Sequence, residues 1–208
     1  MRDAAHRLVE IGRRFDARGW VLGTSGNFSV VIGRDPFRMA ITPSAAFKGD
    51  LTPAQILEID ADGAVLGNRS EKPSAEYLLH VQVADACNAG AVLHTHSVWG
   101  TVLSEVYTGD GGLAIEGYEM LKGLEGVHTH EHREWLPILE NDQDMSRLAR
   151  SVGARLRQHP DAHGFLLRRH GLYTWGQDLA HATRHVEILE FLLEAIGRSQ
   201  SLARTTWR

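Results

Sequence analysis

The apolar runs of this chain are short, and several are joined by turns too tight to hold a crossing helix. Phe28 to Ile32 and Phe37 to Ile41 are β-prone runs around a Gly33-Arg34-Asp35-Pro36 turn, the signature of a hairpin. Ile56 to Ile59 is followed by an Ala61-Asp62-Gly63 turn that leads back into Val65 and Leu66. Parallel neighbours need a connection of about a dozen residues or more. Such a chain therefore cannot build a purely parallel sheet. Further apolar runs at Ala91 to Leu93, Leu136 to Leu139 and Phe165 to Leu167 read as buried strands, and they alternate with helical segments. The expected class is α/β, a mixed or mostly antiparallel sheet with helices on its faces.

The helices show in their periodicity. Ala4, Leu8, Ile11 and Phe15 draw one apolar stripe that Gly19 can end. Thr52-Pro53-Ala54-Gln55 has the form of a capping box, which predicts a short helical turn before the strand at Ile56. Ser74 can cap a helix from Ala75 to about Cys87, with Leu79, Val83 and Ala86 inward and Asn88 to Gly90 as the stop. Met145, Leu148, Val152 and Leu156 mark another. The strongest period is the last, carried by Leu179, Ala182, Val186, Leu189, Leu193 and Ile196. No linker or repeat divides the 208 residues, so one domain spanning 1–208 is expected, large enough to bury roughly 70% of its unfolded surface.

Charge and cysteine usage remove several function classes. A net charge of −4, with Lys and Arg scattered, gives no reason to expect nucleic acid. No apolar run approaches the roughly 20 residues that span a bilayer, and the start lacks a signal-peptide core, so a cytoplasmic protein is expected. One cysteine excludes a disulfide framework or a Cys-based zinc module. Twelve histidines beside it ask for an explanation.

His94 and His96 stand two apart where the strand at Ala91 ends, and a period of two puts both imidazoles on one face. One metal ion can take both, unless they are merely two polar residues at a strand end. Nitrogen ligands suit zinc or a similar divalent ion. His170 also follows an apolar strand and precedes Gly171, which permits close backbone approach, although a turn residue reads the same way. Three histidines would leave an open coordination position, the arrangement of a catalytic zinc. Glu76, two after Ser74, sits in the first helical turn, where the macrodipole alone could account for it; otherwise it is a base or a substrate contact. Glu119, between Gly117 and Gly123, is either chemically active or a loop charge paired with Lys122. Gly26, Asn27, Ser44, Ala45 and Ser74 lie in three separate loops or caps of the kind whose N–H groups hold anions, and no P-loop is present. Lys48 could add charge there, but reads more simply as a solvated loop lysine. The run His128-Thr129-His130-Glu131-His132 reads as mainly solvent-facing.

Taken in order, Gly23-Thr24-Ser25-Gly26-Asn27, Thr42-Pro43-Ser44, Lys72-Pro73-Ser74-Ala75-Glu76, His94-Thr95-His96 and Arg169-His170-Gly171 resemble the class II aldolase superfamily over nearly the whole chain. The resemblance implies an α/β/α sandwich around a mostly antiparallel sheet, assembled as a homotetramer with its site near a subunit interface. It implies zinc on His94, His96 and His170, a sugar phosphate held by Gly26, Asn27, Ser44, Ala45 and Ser74, and an acidic catalytic position at Glu76. Aldolases of the superfamily often have a second serine where this chain has Ala75, so one phosphate hydroxyl is missing. They also tend to carry Tyr where this chain has Glu119. In that respect the chain is similar to the ketose-phosphate dehydratase branch, in which the corresponding Glu donates and accepts the proton. The change replaces a weak acid of pKa about 10 by a carboxyl of about 4.3, able to work as a base near neutral pH. A ketose-phosphate aldolase or 4-epimerase, and a non-catalytic interaction domain of the same fold, stay open beside it.

Overall fold

The computed structural model describes residues 1–67 and 70–205. Eight strands form one sheet: β1 (Asn27–Arg34), β2 (Phe37–Ile41), β3 (Leu57–Ile59), β4 (Ala91–Thr95), β5 (Gly112–Ile115), β6 (Glu134–Leu139), β7 (Gly164–Leu167) and β8 (Gly171–Gly176), in the order β3-β2-β1-β4-β8-β7-β6-β5. Only β6 and β7 pair in parallel; the other pairs are antiparallel. The hairpin expected around Gly33 to Pro36 is β1–β2, and the sheet is mostly antiparallel, as the short turns require.

Five helices cover the two faces: α1 (Arg2–Ala17), α2 (Tyr77–Ala86), α3 (Val98–Val106), α4 (Met145–Gln158) and α5 (Leu179–Thr205). Alternation along the central strand decides which side each serves. Val92 of β4 points toward Leu79 and Val83 of α2 and Leu148 and Val152 of α4. Its neighbours Ala91 and Leu93 point the other way, toward Leu8 and Phe15 of α1 and Val186 of α5. The second half of α5 and Leu103 of α3 close that same face over β5 and β6. Each fully buried Leu, Val or Phe contributes about 1.5–3 kcal/mol, so both layers are held mainly by these stripes.

Local chemistry differs from expectation at a few places. The capping box at Thr52 is present, with the Gln55 side chain accepting from the Thr52 N–H at 2.9 Å. The helix expected to start after Ser74 begins instead at Tyr77 with Glu76 as its N-cap residue, and Ala86 is exposed while His80 and Ala84 are buried. The sequence reading assigns no element to Val98–Val106, Gly112–Ile115 or Gly171–Gly176, yet these are α3, β5 and β8. On α3 the apolar residues Val98, Val102 and Val106 face outward, which hides the amphipathic pattern that periodicity detects.

His132 is half-buried rather than solvent-facing, whereas His128 and His130 are exposed. Its ring sits 2.9 Å from Glu134, which is 1% exposed, and His163 contacts the same carboxylate oxygen at 3.0 Å. The other nitrogen of His163 meets the Glu125 carbonyl at 2.8 Å. Both nitrogens therefore face acceptors, so the ring carries two protons. Burial opposes that charge, but hydrogen bonding to Glu134 and its charge outweigh it and raise His163 above its ordinary 6.5. Burial likewise pushes Glu134 upward, and the bonds from His163 and His132 overcome it and hold the carboxyl below its ordinary 4.5. Stabilisation from His163 is thus complete below pH 6.5 and is lost as the pH rises through the raised value. That from Glu134 is complete above 4.5 and is lost as the pH falls through the lowered value. Glu134→Gln is expected to cost about 3–5 kcal/mol between these limits, a difference that narrows toward pH 9; urea unfolding at pH 5.5, 7 and 9 measures it.

Candidate active site

The antiparallel register of β4 and β8 pairs His94 with Tyr173 and Thr95 with Leu172. That pairing delivers His170, in the turn after β7, to the end of β4. A Cβ at position 171 would lie 2.0 Å from the Thr95 carbonyl oxygen, so only glycine lets the two strands close. Arg169 takes a left-handed φ of 53° in the same turn, and its guanidinium pairs with Glu105 of α3 at 2.6 Å. Between the two histidines, the Thr95 hydroxyl turns to the opposite face and donates to the buried Glu190 of α5.

Three imidazole nitrogens converge as a result. His170 Nε2 lies 3.3 Å from His94 Nε2 and 3.2 Å from His96 Nε2. Glu76 brings Oε1 to 3.3 Å from His170 Nε2 and Oε2 to 3.6 Å from His94 Nε2. Among the described residues this is the one group of three or more such side chains whose ligand atoms all lie within 4.8 Å of one another. His94 Nδ1 faces the Leu172 carbonyl at 2.9 Å and must donate to it, which leaves Nε2 with a free lone pair. Burial and the neighbouring His96 and His170 lower His94 well below the ordinary imidazole value, and burial with His170 and Lys48 lowers His96 to about 4. Neutral imidazoles whose lone pairs face each other repel unless a cation stands among them. The donor set therefore fits a divalent metal ion.

Glu76 is aimed by a chain of side chains, Ser29, His80 and Asn27, of which the sequence points only to Asn27, and to a different role. The Ser29 hydroxyl lies 2.7 Å from His80 Nδ1, the other His80 nitrogen meets the Asn27 amide oxygen, and the Asn27 amide nitrogen donates to Glu76 Oε2 at 2.6 Å. His80 is fully buried on α2, and burial lowers it to about 3, so it works as a neutral connector. Asn27, expected at the phosphate, thus spends its side chain on Glu76. Spacing offered a signal for this: Glu76 and His80 stand four apart on one helical face. The Glu76 carboxylate makes no bond to cap its helix and points to the histidines instead.

Beside this group opens a cavity of about 380 Å³. His96, His170 and Glu76 line it together with Gly26, Asn27, Ser44, Ala45 and Ser74, so all five expected phosphate positions meet here. Gly26 has φ 72°, and a Cβ there would fall 2.8 Å from the His94 carbonyl oxygen. Ala45 is left-handed at φ 53°, rare for a residue with a side chain. Lys48 lines the cavity too and is 1% exposed, not the solvated lysine of the sequence reading. Burial lowers its ammonium to about 8 while the Glu76 charge pulls it up, so it is a cation at neutral pH. Glu119 is not brought to this cavity. It lies on a 3-10 turn (Glu119–Gly123), 71% exposed and bonded to Lys122 at 2.7 Å.

Over residues 6–196 the chain matches the family described as Class II Aldolase and Adducin N-terminal domain. It is 44% identical over 201 residues to the methylthioribulose-1-phosphate dehydratase of Methylococcus capsulatus, covering 96% of each chain. It is 45% identical over 199 residues to the protein of that name from Pseudomonas paraeruginosa, covering 95% of each. Among solved structures, the l-fuculose-1-phosphate aldolase from Thermus thermophilus is similar with a TM-score of 0.77 at 25% identity over 98% of each chain.

Two substitutions separate holding the ion from aiming the carboxylate. His94→Ala is expected to lose the stoichiometric divalent metal ion, measured by metal analysis after dialysis. Asn27→Ala should retain it, and turnover should fall by about 10–100-fold because Glu76 loses its tether.

Proposed function

Because the chain belongs to the class II aldolase and adducin N-terminal domain family, we propose that it is a zinc-dependent dehydratase converting 5-methylthioribulose 1-phosphate to 2,3-diketo-5-methylthiopentyl 1-phosphate in methionine salvage. The observation that carries this reading is the 44% identity, over 96% of both chains, to a dehydratase of that substrate. The convergent histidines beside a cavity of small residues support it, since one end of a ketose phosphate needs an electrophile at its carbonyl and the other a cradle for a dianion.

His94, His96 and His170 would hold the zinc ion, which when bound would supply Lewis-acid chemistry to the substrate carbonyl. Glu119 takes the proton from C3, and the electron pair it leaves is delocalised into the C2 carbonyl. The same carboxyl then returns the proton to the C4 hydroxyl as the C4–O bond breaks, so water departs and a C3–C4 enol remains. Tautomerisation of that enol gives the 2,3-diketone. Glu76, fixed by Asn27 and the histidines, contacts a substrate hydroxyl or serves as a second acid/base group. Gly26, Ser44, Ala45 and Ser74 anchor the phosphate and fix orientation.

Glu119 lies outside the cavity of its own chain, so in this reading it comes from a neighbouring copy in a homotetramer. Val98, Val102 and Val106 support that assembly: they form an exposed apolar row on α3, which starts directly after His96 and Ser97. No helix among the described residues is long and apolar enough to cross a membrane, and the reading places this one-domain enzyme in the cytoplasm.

Glu119→Gln is expected to abolish turnover and keep its zinc. Co-expressed with His94→Ala, it should regain activity, because a mixed assembly can join an intact Glu119 to an intact metal group. Loss of water from methylthioribulose phosphate, with no three-carbon fragment released from fuculose or ribulose phosphate, separates the dehydratase from an aldolase. Full activity of Glu119→Gln would remove it from the mechanism.

A further inference from the structure

Two features of the 380 Å³ cavity have no part in the roles assigned so far. The first is the Lys48 ammonium. It donates to the Thr24 carbonyl at 2.9 Å and to the Ala46 carbonyl at 2.7 Å, which ties together the two loops that carry Gly26 and Ser44. An ammonium has three donors, and among the described residues the third has no partner and no carboxylate forms an ion pair with Lys48. The second is Ser25, a residue of the same lining whose Oγ is buried and has no hydrogen-bond partner. A buried hydroxyl and a buried cation left short of acceptors are each costly unless a ligand completes them.

The backbone shows that this placement is built. A Cβ on Gly12 of α1 would lie 2.5 Å from the Lys48 carbonyl oxygen, so glycine there lets the Lys48 turn pack onto the helix. The stem of Lys48 is enclosed, and its charge is delivered where the Thr24 and Ala46 carbonyls meet. Ser25 follows directly on Thr24, the residue whose carbonyl Lys48 holds. Ala75 lines the same cavity, a position with no hydroxyl to give.

We propose that Lys48 and Ser25 complete the phosphate subsite: Lys48 gives the dianion its charge partner and a third N–H, and Ser25 gives the hydroxyl that Ala75 lacks. The inference rests on the phosphorylated substrate of the proposed function. Its ligand class is a phosphate monoester, for which a cation with fixed donors is the chemical complement.

Thermal unfolding of the zinc-loaded enzyme in a titration with inorganic phosphate, together with steady-state kinetics on methylthioribulose 1-phosphate, tests it. Phosphate is expected to raise the unfolding midpoint of the wild type. Lys48→Met should weaken phosphate binding and raise KM by about 30-fold, with a smaller change in kcat, as for loss of a hydrogen bond to a charged group. Ser25→Ala should weaken both by about 3–10-fold and leave the phosphate-free midpoint unchanged or higher, since its hydroxyl bonds nothing in the free protein. Adding Ala75→Ser to Ser25→Ala should restore phosphate affinity. Lys48→Gln, which keeps a donor for the two carbonyls and drops the charge, takes the place of Lys48→Met if that variant does not fold. Wild-type phosphate affinity in the Lys48 variants, with only the midpoint lowered, would make Lys48 a structural tie and overturn the inference while the substrate reading stood. A wild type that phosphate does not stabilise, and that turns over the dephosphorylated sugar equally well, would overturn the substrate reading and this inference with it.

Discussion

Everything at the candidate site depends on how closely β4 and β8 approach at their common end. The Thr95 carbonyl occupies space that a side chain at residue 171 would need, so Gly171 sets the distance between the strands. With that distance fixed, His94 pairs across to Tyr173 and stacks on its ring at 3.8 Å, while the turn before β8 swings His170 over both partners. The turn is held from outside: Arg168 and Arg169 reach Glu105 of α3, and Arg168 also reaches Glu140. These exposed pairs add little to stability singly. Their effect is on position, because they fix the left-handed Arg169 next to His170.

The same side chain serves opposite electrostatic purposes at the two ends of the sheet. Where β4 ends, His94 donates Nδ1–H to a carbonyl and is buried among other imidazoles, so it stays neutral with a lone pair to offer. Where β6 begins, His163 has an acceptor at each nitrogen and is charged against Glu134. Its neighbour His185, 5.0 Å away between ring centres, donates to the Trp175 carbonyl and accepts from the Glu125 N–H, and burial lowers it to about 4. Count of histidines therefore says little; the partners of each ring decide its charge.

Much of the architecture was legible in sequence because hydrophobic burial leaves a period. The stripes at Leu8 and Phe15, at Leu148 and Val152, and at Val186 and Leu193 each became a buried helix face. Tight turns predicted antiparallel pairing correctly. What escaped were elements whose pattern is masked: α3 turns valines outward, and β8 begins inside a motif read for its chemistry. The convergence of His94, His96 and His170 was accessible since strand ends and a following glycine leave local marks. The actual partners of Asn27 and Lys48 left none, because they lie far along the chain and a buried lysine looks in sequence like an exposed one; His80 left only its spacing of four from Glu76. Glu119 marks the opposite boundary: local sequence and family likeness single it out, while the fold of one chain leaves its carboxylate in solvent.

Rigidity explains why so much of the cavity is internally bonded. Asn27 could have offered its amide to a ligand, but it is held by His80 and Glu76, and the Lys48 ammonium is held by two carbonyls. A group fixed before its ligand arrives loses little further freedom on binding, and a dipole fixed in a water-poor site stabilises developing charge without reorganising. Ala45 and Gly26, both in the cavity lining, have left-handed backbone there. Proton transfer makes a different demand: a group that takes a proton at one carbon and returns it at the next atom must move between them. The site fixes Asn27, Glu76 and Lys48 by internal bonds accordingly, and the acid/base group proposed for the transfer is the one on an exposed turn.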